Sequence, residues 1–219
     1  MAVNCGVSFG VCRVRITKVD AAGNVDGSTN NSYVTDAVTQ VTLTPNIETG
    51  DTFSQRNGCG CKVASFKAND TFNFFEFSLQ DSKMEPVMQA YLLGTETIED
   101  GADVVGLAFP TALACDEDEP AVAFEFWTQH IVGSGQDGIH PWIHWVFPKT
   151  VWQLGDNTFE EGIALPTLNG FSRTNGNWGD GPYGDGPPDS QDISEGGWWK
   201  TAVDPPAAAC ASADVTPSS

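Results

Sequence analysis

Two histidines four positions apart are the residues whose spacing first suggests chemistry. His140 and His144 lie in the stretch HPWIHWVFPKTVW, in a chain with three histidines. On a helix they would share one face about 6 Å apart, as in the zinc-protease motif, but that motif also needs a glutamate that is missing here. The stretch is rich in aromatic and β-branched residues and predicts a strand, which would separate the two side chains by about 13 Å. We therefore expect His140 and His144 to be structural.

The cysteines offer a second possible metal site. Four of the six, Cys5, Cys12, Cys59 and Cys61, could together supply thiolate ligands for zinc. The spacing of Cys59-Gly60-Cys61 is tighter than the usual C-x-x-C pair, so the pattern is unlike a standard zinc signature. We expect buried free thiols, which behave as small hydrophobic residues, and no metal or cofactor; a local disulfide or metal stays open as the alternative.

The sequence contains no pattern typical of a catalytic site. There is no glycine-rich phosphate loop and no G-x-S-x-G motif. Acidic runs occur at Glu160-Glu161 and at 116–119, but two carboxylates act together only when the fold places them across a cleft. We expect the run at 116–119 to be a solvated loop and the protein not to be an enzyme.

The charge balance restricts the possible partners. The chain has 219 residues, 29 of them acidic and 10 basic, for a net charge of −19. Proteins that bind nucleic acid do so by neutralising phosphates with lysine and arginine, so this surface would repel DNA. The balance is typical of a soluble protein and also of one that must lie near DNA without binding it. No apolar run is long enough for a membrane helix, and the first residues lack the layout of a signal peptide.

Alternating apolar and polar residues predict a mainly β fold. The segments 12–20, 33–45, 62–70, 71–81, 121–130 and 139–152 each favour strands, and 62–70 with 71–81 predicts a hairpin joined at Asn69-Asp70. One helix is predicted near 82–93. Antiparallel hairpins with this single helix predict an all-β or α+β domain.

The predicted helix has its own start and stop signals. Ser82 and Glu85 form a capping box, and Gly94 is a C-cap. Pro86 is tolerated only in the first turn, which leaves the start uncertain. An apolar stripe at helical spacing would pack on the sheet; it comprises Met84, Val87, Met88, Tyr91 and Leu92.

The composition changes near residue 175. We divide the chain into a β-domain, 1–174, and a C-terminal arm, 175–219, which is dense in glycine, proline and aspartate. Little regular structure is expected in the arm. Its aromatic residues are costly to leave in water, so the arm should lie on a protein surface; they are Trp178, Tyr183, Trp198 and Trp199.

Three segments in a fixed order resemble the major tail tube proteins of long-tailed bacteriophages, particularly those of actinobacterial hosts. They are VTLTPNIETGDTFSQRNGCGCKVASFKANDTFNFFEFSLQD, the helix segment MEPVMQAYLLG, and HWVFPKTVW followed by LNGFSRTNGNWGDGPYGDGPP. Together they span roughly residues 10–190. The cysteines are not part of the resemblance.

The resemblance implies the tail-tube fold, a mainly β (α+β) sandwich or barrel of two packed antiparallel sheets with one flanking α-helix. It also implies a structural virion protein in the tail, assembled in the host cytoplasm. Subunits of this family form hexameric rings that stack into a tube, through which the genome passes without specific binding. The implied partners are copies of the chain itself, the tape measure protein and the tail terminator. The segment near 45–61 and the arm are then expected to contact neighbouring subunits, with candidate contacts at Ile47, Phe53, Trp178, Tyr183, Trp198 and Trp199.

Two alternatives belong to other functional classes. Seven tryptophans in a β-rich chain would also suit a virion-surface or secreted module that binds carbohydrate by stacking. Such a module would expose Trp178, Trp198 and Trp199 on one flat face. A hydrolase would instead depend on carboxylates such as Asp118 or Glu160.

Overall fold

The computed structural model describes residues 6–110, 118–157, 166–188, 191–208, 211–213 and 215. Within them are one helix, α1 (Pro86–Leu93), and fourteen strands. The strands are β1 (Val7–Val19), β2 (Ser32–Thr35), β3 (Val38–Glu48), β4 (Thr52–Arg56), β5 (Lys62–Lys67), β6 (Thr71–Asp81), β7 (Thr97–Asp100), β8 (Asp103–Leu107), β9 (Ala121–Val132), β10 (Gly135–Gln136), β11 (Trp142–Leu154), β12 (Thr167–Ser172), β13 (Gly197–Thr201) and β14 (Ala211–Ala213).

The mainly β prediction is confirmed. Ten strands form one antiparallel sheet in the order β14-β2-β1-β9-β11-β12-β6-β3, with β10 beside β9 and β13 beside β11. Instead of two separate sheets, hydrogen bonding thus runs continuously from β14 to β3. The hairpins β4–β5 and β7–β8 are separate two-stranded sheets.

The inner face of the large sheet encloses the main core. Side chains from most long strands meet α1 there, and they include Val14, Ile16, Leu79, Met88, Leu92, Phe124 and Leu168. The rings of Phe77 and Phe147 pack edge to face, with centroids 4.8 Å apart. Burial of such side chains is the dominant stabilising term in folding.

The outer face of β1, β9 and β11 is covered as well. A second cluster forms there, and its members are Val19, Val25, Ala121, Ala123, Val146, Val151, Trp178 and Ile193. Because Trp178 and Ile193 belong to the C-terminal segment, the arm lies on its own chain. A strand in an antiparallel sheet usually has one face in water, but β9 is covered on both faces. This explains why every residue from Ala121 to Thr128 is buried.

Most of the predicted strands occur, with one wrong pairing. Residues 62–67 and 71–81 are strands, but they do not pair with each other: β5 pairs with β4, and β6 pairs with β3. The stretch 33–45 is divided at residues 36–37 into β2 and β3. In β11, the register against β9 shifts between Phe147 and Thr150, around Pro148, which has no N–H to contribute to the ladder.

The helix begins at Pro86, four residues later than predicted. The capping box does not form, because Ser82 Oγ donates to the carbonyl of Ala37 and Glu85 accepts a hydrogen bond from Thr35 Oγ1. The helix therefore has no side-chain cap, and Asp81 fixes the turn before it by accepting from the N–H groups of Lys83 and Glu85. The stripe packs inward except at Met84, which is exposed.

The C-cap is confirmed. Gly94 has φ 63°, the left-handed conformation that favours glycine. A Cβ at this position would lie 2.2 Å from Cβ of Pro120. Glycine is therefore required here by both conformation and space.

The arm has more regular structure than expected. Strand β13 pairs with the first half of β11, and β14 pairs with β2. Asn175 fixes the start of the arm by donating to the carbonyls of Gly23 and Pro148. Residues beyond 174 therefore complete the sheet and its outer layer.

Among the described residues, no helix has the length and apolar character needed to cross a membrane.

Candidate functional site

A buried ion pair links the first strand to the centre of the sheet. Arg15 on β1 and Glu125 on β9 are directly opposed in the antiparallel register. The guanidinium donates twice, from Nε to Oε2 at 2.5 Å and from Nη2 to Oε1 at 2.8 Å. Both side chains are almost completely buried. Such two-point, charge-assisted bonds are among the strongest in proteins.

The C-terminal arm supplies a second carboxylate to the same guanidinium. Asp185 accepts from Arg15 Nη2 at Oδ1, 3.1 Å, and at Oδ2, 3.0 Å. We call Arg15, Glu125 and Asp185 the arginine centre. It joins parts of the chain that are 110 and 170 positions apart in sequence.

Two aromatic rings lie against Arg15. The centroid of Tyr183 is 3.4 Å from Arg15 Cζ, and that of Trp127 is 5.0 Å away. The Tyr183 hydroxyl donates to Ser32 Oγ and shares a hydrogen bond with Thr17 Oγ1, each 2.7 Å long. Cation–π attraction and hydrogen bonds thus fix the arm segment around Tyr183 on β1 and β2.

His144 belongs to the same buried region, and His140 does not. His144 Nε2 lies 3.3 Å from Glu125 Oε1, and its ring is stacked on Trp127 with centroids 4.1 Å apart. The side chain of His140 is exposed, and its carbonyl accepts from Nδ1 of the buried His130. The two histidines of the opening motif are therefore not brought together.

The electrostatics of the arginine centre favour fixed charges. Burial acts to raise the pKa of Glu125, but the Arg15 charge, the nearby His144 ring and the hydrogen bonds from Arg15 outweigh it and bring the pKa to about 2. Burial also acts to lower the pKa of Arg15, and the charges of Glu125 and Asp185 outweigh that effect and raise it. A general acid or base works best with a pKa near the operating pH, which Glu125 lacks. The geometry is that of a clamp between arm and sheet.

Sequence reasoning missed the arginine centre. The alternation in 12–20 places Arg15 on the face opposite Val14 and Ile16, and arginine is mostly found exposed. The available signal was Tyr183-Gly184-Asp185, which combines a ring and a carboxylate in the arm. An arginine in a central strand needs such partners when a covering layer removes it from water.

The cysteines do not form a cluster in the structure. Cys12 is half-buried in β1, whereas Cys59 and Cys61 are exposed at the end of the β4–β5 hairpin, so the expectation of buried thiols was wrong for these two. Cys5 lies outside the described residues. In the described part of the chain, no three His, Cys, Asp or Glu side chains come together as a metal site.

The β4–β5 hairpin projects from the protein with apolar side chains in water. Every described position of both strands is exposed. Phe53 and Phe66 are directly opposed and are 60% and 65% exposed. Ile47, at the far end of β3, is 55% exposed. Full burial of each phenylalanine would contribute about 1.5–3 kcal/mol.

The six candidate contact residues divide into two groups. Ile47, Phe53 and Trp198 have more than half of their surface exposed. Trp178 is 5% exposed within the outer cluster, Tyr183 covers Arg15, and Trp199 packs against that cluster and His144. The second group has an intrachain role that the sequence did not indicate.

The carbohydrate alternative predicted one exposed face of three tryptophans. Trp198 is 54% exposed, but Trp178 is buried and Trp199 is half-buried. These three side chains therefore do not form a common flat platform. Of the proposed hydrolase residues, Asp118 is exposed and Glu160 lies outside the described residues.

Comparison of the sequence with protein-family models gave no match, and comparison with curated proteins gave none.

Proposed function

We propose that this chain is a structural subunit that polymerises with copies of itself into the tail tube of a long-tailed bacteriophage. The observation that carries the proposal is the β4–β5 hairpin, which exposes Phe53 and Phe66, neither of them a member of the two buried clusters. Exposed apolar patches on soluble proteins mark interaction sites. The ordered resemblance of three sequence segments to tail tube proteins supplies the kind of assembly.

The edge of the large sheet also supports self-association. Strand β3 ends the strand order and carries no charged residue from Val38 to Ile47. Uncharged edge strands are able to pair with another chain unless something blocks them. In a ring of identical subunits, such an edge becomes a joint between neighbours.

The net charge of −19 is consistent with a conduit. An acidic wall repels phosphate, so DNA would pass through the lumen without being trapped. The tape measure protein and the tail terminator would be further partners, and the mature location would be the virion tail. In this proposal, the arginine centre keeps each subunit rigid by holding its arm on its sheet.

Negative-stain electron microscopy of the purified protein, with its mass measured in solution, tests the proposal. Rings or hollow tubes of uniform width are expected. Compact particles without a lumen would contradict it. So would a protein that remains monomeric at high concentration and binds glycans in a screen, which would favour the carbohydrate-binding alternative.

A further inference from the structure

The two small hairpins carry opposite charges. The β4–β5 hairpin contains Arg56, Lys62 and Lys67, three of the ten basic residues, and no acidic residue between 52 and 67. The β7–β8 hairpin and its flanks, 96–110, contain four acidic residues and no basic one: Glu96, Glu99, Asp100 and Asp103. A protein with few positive charges thus concentrates several of them in one projecting element.

Each hairpin also places like charges opposite each other near its tip. Arg56 pairs with Lys62 across β4 and β5. Asp100 pairs with Asp103 across β7 and β8, on either side of a two-residue turn. Like charges in directly opposed positions destabilise a strand pair. The arrangement is therefore unfavourable for an isolated subunit at both tips.

The charges at the tips have no ion-pair partner among the residues that the structure describes. Lys67, at the base of its hairpin, forms an ion pair with Asp70 at 2.8 Å. Arg56 and Lys62, and likewise Asp100 and Asp103, form no ion pair with any other described residue. Within the described part of the chain, the Arg56 guanidinium donates to the carbonyl of Gly60 in its own turn.

Apolar side chains accompany both tips. Val63 is 60% exposed beside Lys62, and Val105 is 60% exposed two residues from Asp103. A contact between the two tips would cover these side chains and would set each unfavourable charge pair against its opposite. Complementary charges of this kind give specificity and orientation to an interface.

We propose that the β4–β5 tip of one copy docks on the β7–β8 tip of a second copy. The inference rests on the proposed self-assembly and names the surfaces that meet in it. The two surfaces differ, so the contact is head-to-tail, and a pair of subunits retains one free basic tip on one copy and one free acidic tip on the other. Repetition of such a contact produces a ring or a filament.

Mixing two charge-reversed variants tests the docking. One variant carries Arg56→Glu and Lys62→Glu, so that both of its tips are acidic. The other carries Asp100→Lys and Asp103→Lys, so that both of its tips are basic. We expect the dissociation constant of each variant alone to be at least about tenfold higher than that of wild type. The dissociation constant of the equimolar mixture should lie within about threefold of the wild-type value. Sedimentation velocity at low salt measures the association of each variant and of the mixture, and a thiol reductant prevents disulfide formation.

A matched control reverses an ion pair elsewhere. Arg173 and Glu119 form an exposed pair at 2.7 Å, and Arg173→Glu with Glu119→Arg keeps the net charge and the pair. This control should associate as wild type does. Recovery in the mixture also excludes misfolding of either variant as the cause of weak association.

The outcomes separate this inference from the proposed function. The docking is overturned if each reversed variant associates as wild type does, or if the mixture does not regain association. In that case, hollow tubes in micrographs of the wild type would still support the tail-tube function. If association follows the tip charges but the particles have no lumen, the docking holds and the tail-tube function fails. If the wild type and the mixture both remain monomeric, the docking is also overturned.

Discussion

Asp185 Oδ2 accepts a hydrogen bond from Arg15 Nη2 at 3.0 Å, across 170 positions of sequence. Through this contact, an irregular segment rich in glycine and proline is attached to the most buried charge of the first strand. Arg15 also holds Glu125, so one guanidinium joins three distant parts of the chain. The stability of the sheet and the position of the arm are therefore coupled.

Replacement of Arg15 by methionine should strongly destabilise the protein. The substitution leaves Glu125 buried without its cation, and loss of one partner of a buried pair costs about 3–5 kcal/mol. Urea denaturation measures the difference in the free energy of unfolding. Arg13→Met is the control on the same strand, because Arg13 forms a longer, 3.5 Å ion pair with Asp36, which is 47% exposed, and pairs that water reaches contribute about 0–1 kcal/mol. Equal losses in both variants would contradict the role of the arginine centre.

Acid should weaken the fold through Glu125. Its pKa is about 2 in the folded protein and 4.5 as the ordinary value. A carboxyl group with a lowered folded pKa adds stability above its ordinary pKa and loses it as the pH falls towards the folded value. The free energy of unfolding should therefore fall between about pH 4.5 and pH 2, by on the order of 3 kcal/mol from this group.

Comparison with Glu125→Gln isolates this contribution, because that variant lacks the titrating group. An NMR titration of the Glu125 carboxyl carbon measures the pKa directly. A midpoint near 4.5 would contradict the prediction.

Asp185→Asn should loosen the arm while the sheet stays folded. The Arg15–Glu125 pair remains, but one charge-assisted contact to the arm is weakened, which costs about 1.5–3 kcal/mol. Limited proteolysis should then cut near 180–188 faster than in wild type. Asp204→Asn serves as the control, since Asp204 accepts a hydrogen bond from the indole of Trp142 near the surface and forms no ion pair with another described residue. Unchanged cleavage rates in Asp185→Asn would refute the clamp.

Phe53→Ser with Phe66→Ser should prevent assembly without changing stability. Both side chains are exposed in the subunit, so their loss removes little from its core. An interface that buries them would lose about 1.5–3 kcal/mol of binding free energy for each phenylalanine side chain removed. Electron microscopy and the free energy of unfolding are the two measurements. Met84→Ser, at an exposed methionine beside α1, is the control and should leave assembly intact. If the double variant formed tubes normally, the hairpin would not be an assembly interface.

The thiols should differ in reactivity. Cys59 and Cys61 are exposed at the hairpin tip, where their N–H groups both donate to Asn57 Oδ1. Burial raises the pKa of Cys12 and leaves less thiolate to react. Brief alkylation of the native protein followed by peptide mass mapping should therefore modify Cys59 and Cys61 well before Cys12. Modification of Cys12 at the same rate would show that β1 opens readily.

The sequence predicts those parts of the fold whose signals are local. Strict alternation in β1 correctly separated Val14 and Ile16 from Arg15 and Thr17. Gly94 marked the end of the helix because its backbone conformation requires glycine. The strand signals at 62–67 and 71–81 were also correct, but adjacent strands need not pair, and β5 turned back onto β4 instead.

The remainder depends on contacts between distant residues. Nothing near Arg15 indicates that Tyr183 and Asp185 will cover it. Ser82 and Glu85 match the capping box in sequence. In the structure their side chains form hydrogen bonds with Ala37 and Thr35 instead. Trp178 was assigned to a neighbouring subunit because an arm rich in glycine offered no sign that it would complete its own sheet.

The pairing of β1 with β9 has a consequence for the order of folding. The two strands are separated by more than a hundred residues, and closing so large a loop costs chain entropy before any contact is gained. We therefore expect the pair to form late, before the arm docks on the surface that this pair creates. Until then Arg15 and Glu125 remain hydrated. In pulse-labelled hydrogen exchange, we expect the amide groups of α1 and of the β7–β8 hairpin to be protected before those of the arm, so that closure of the arm is the step that removes the last water from the charges.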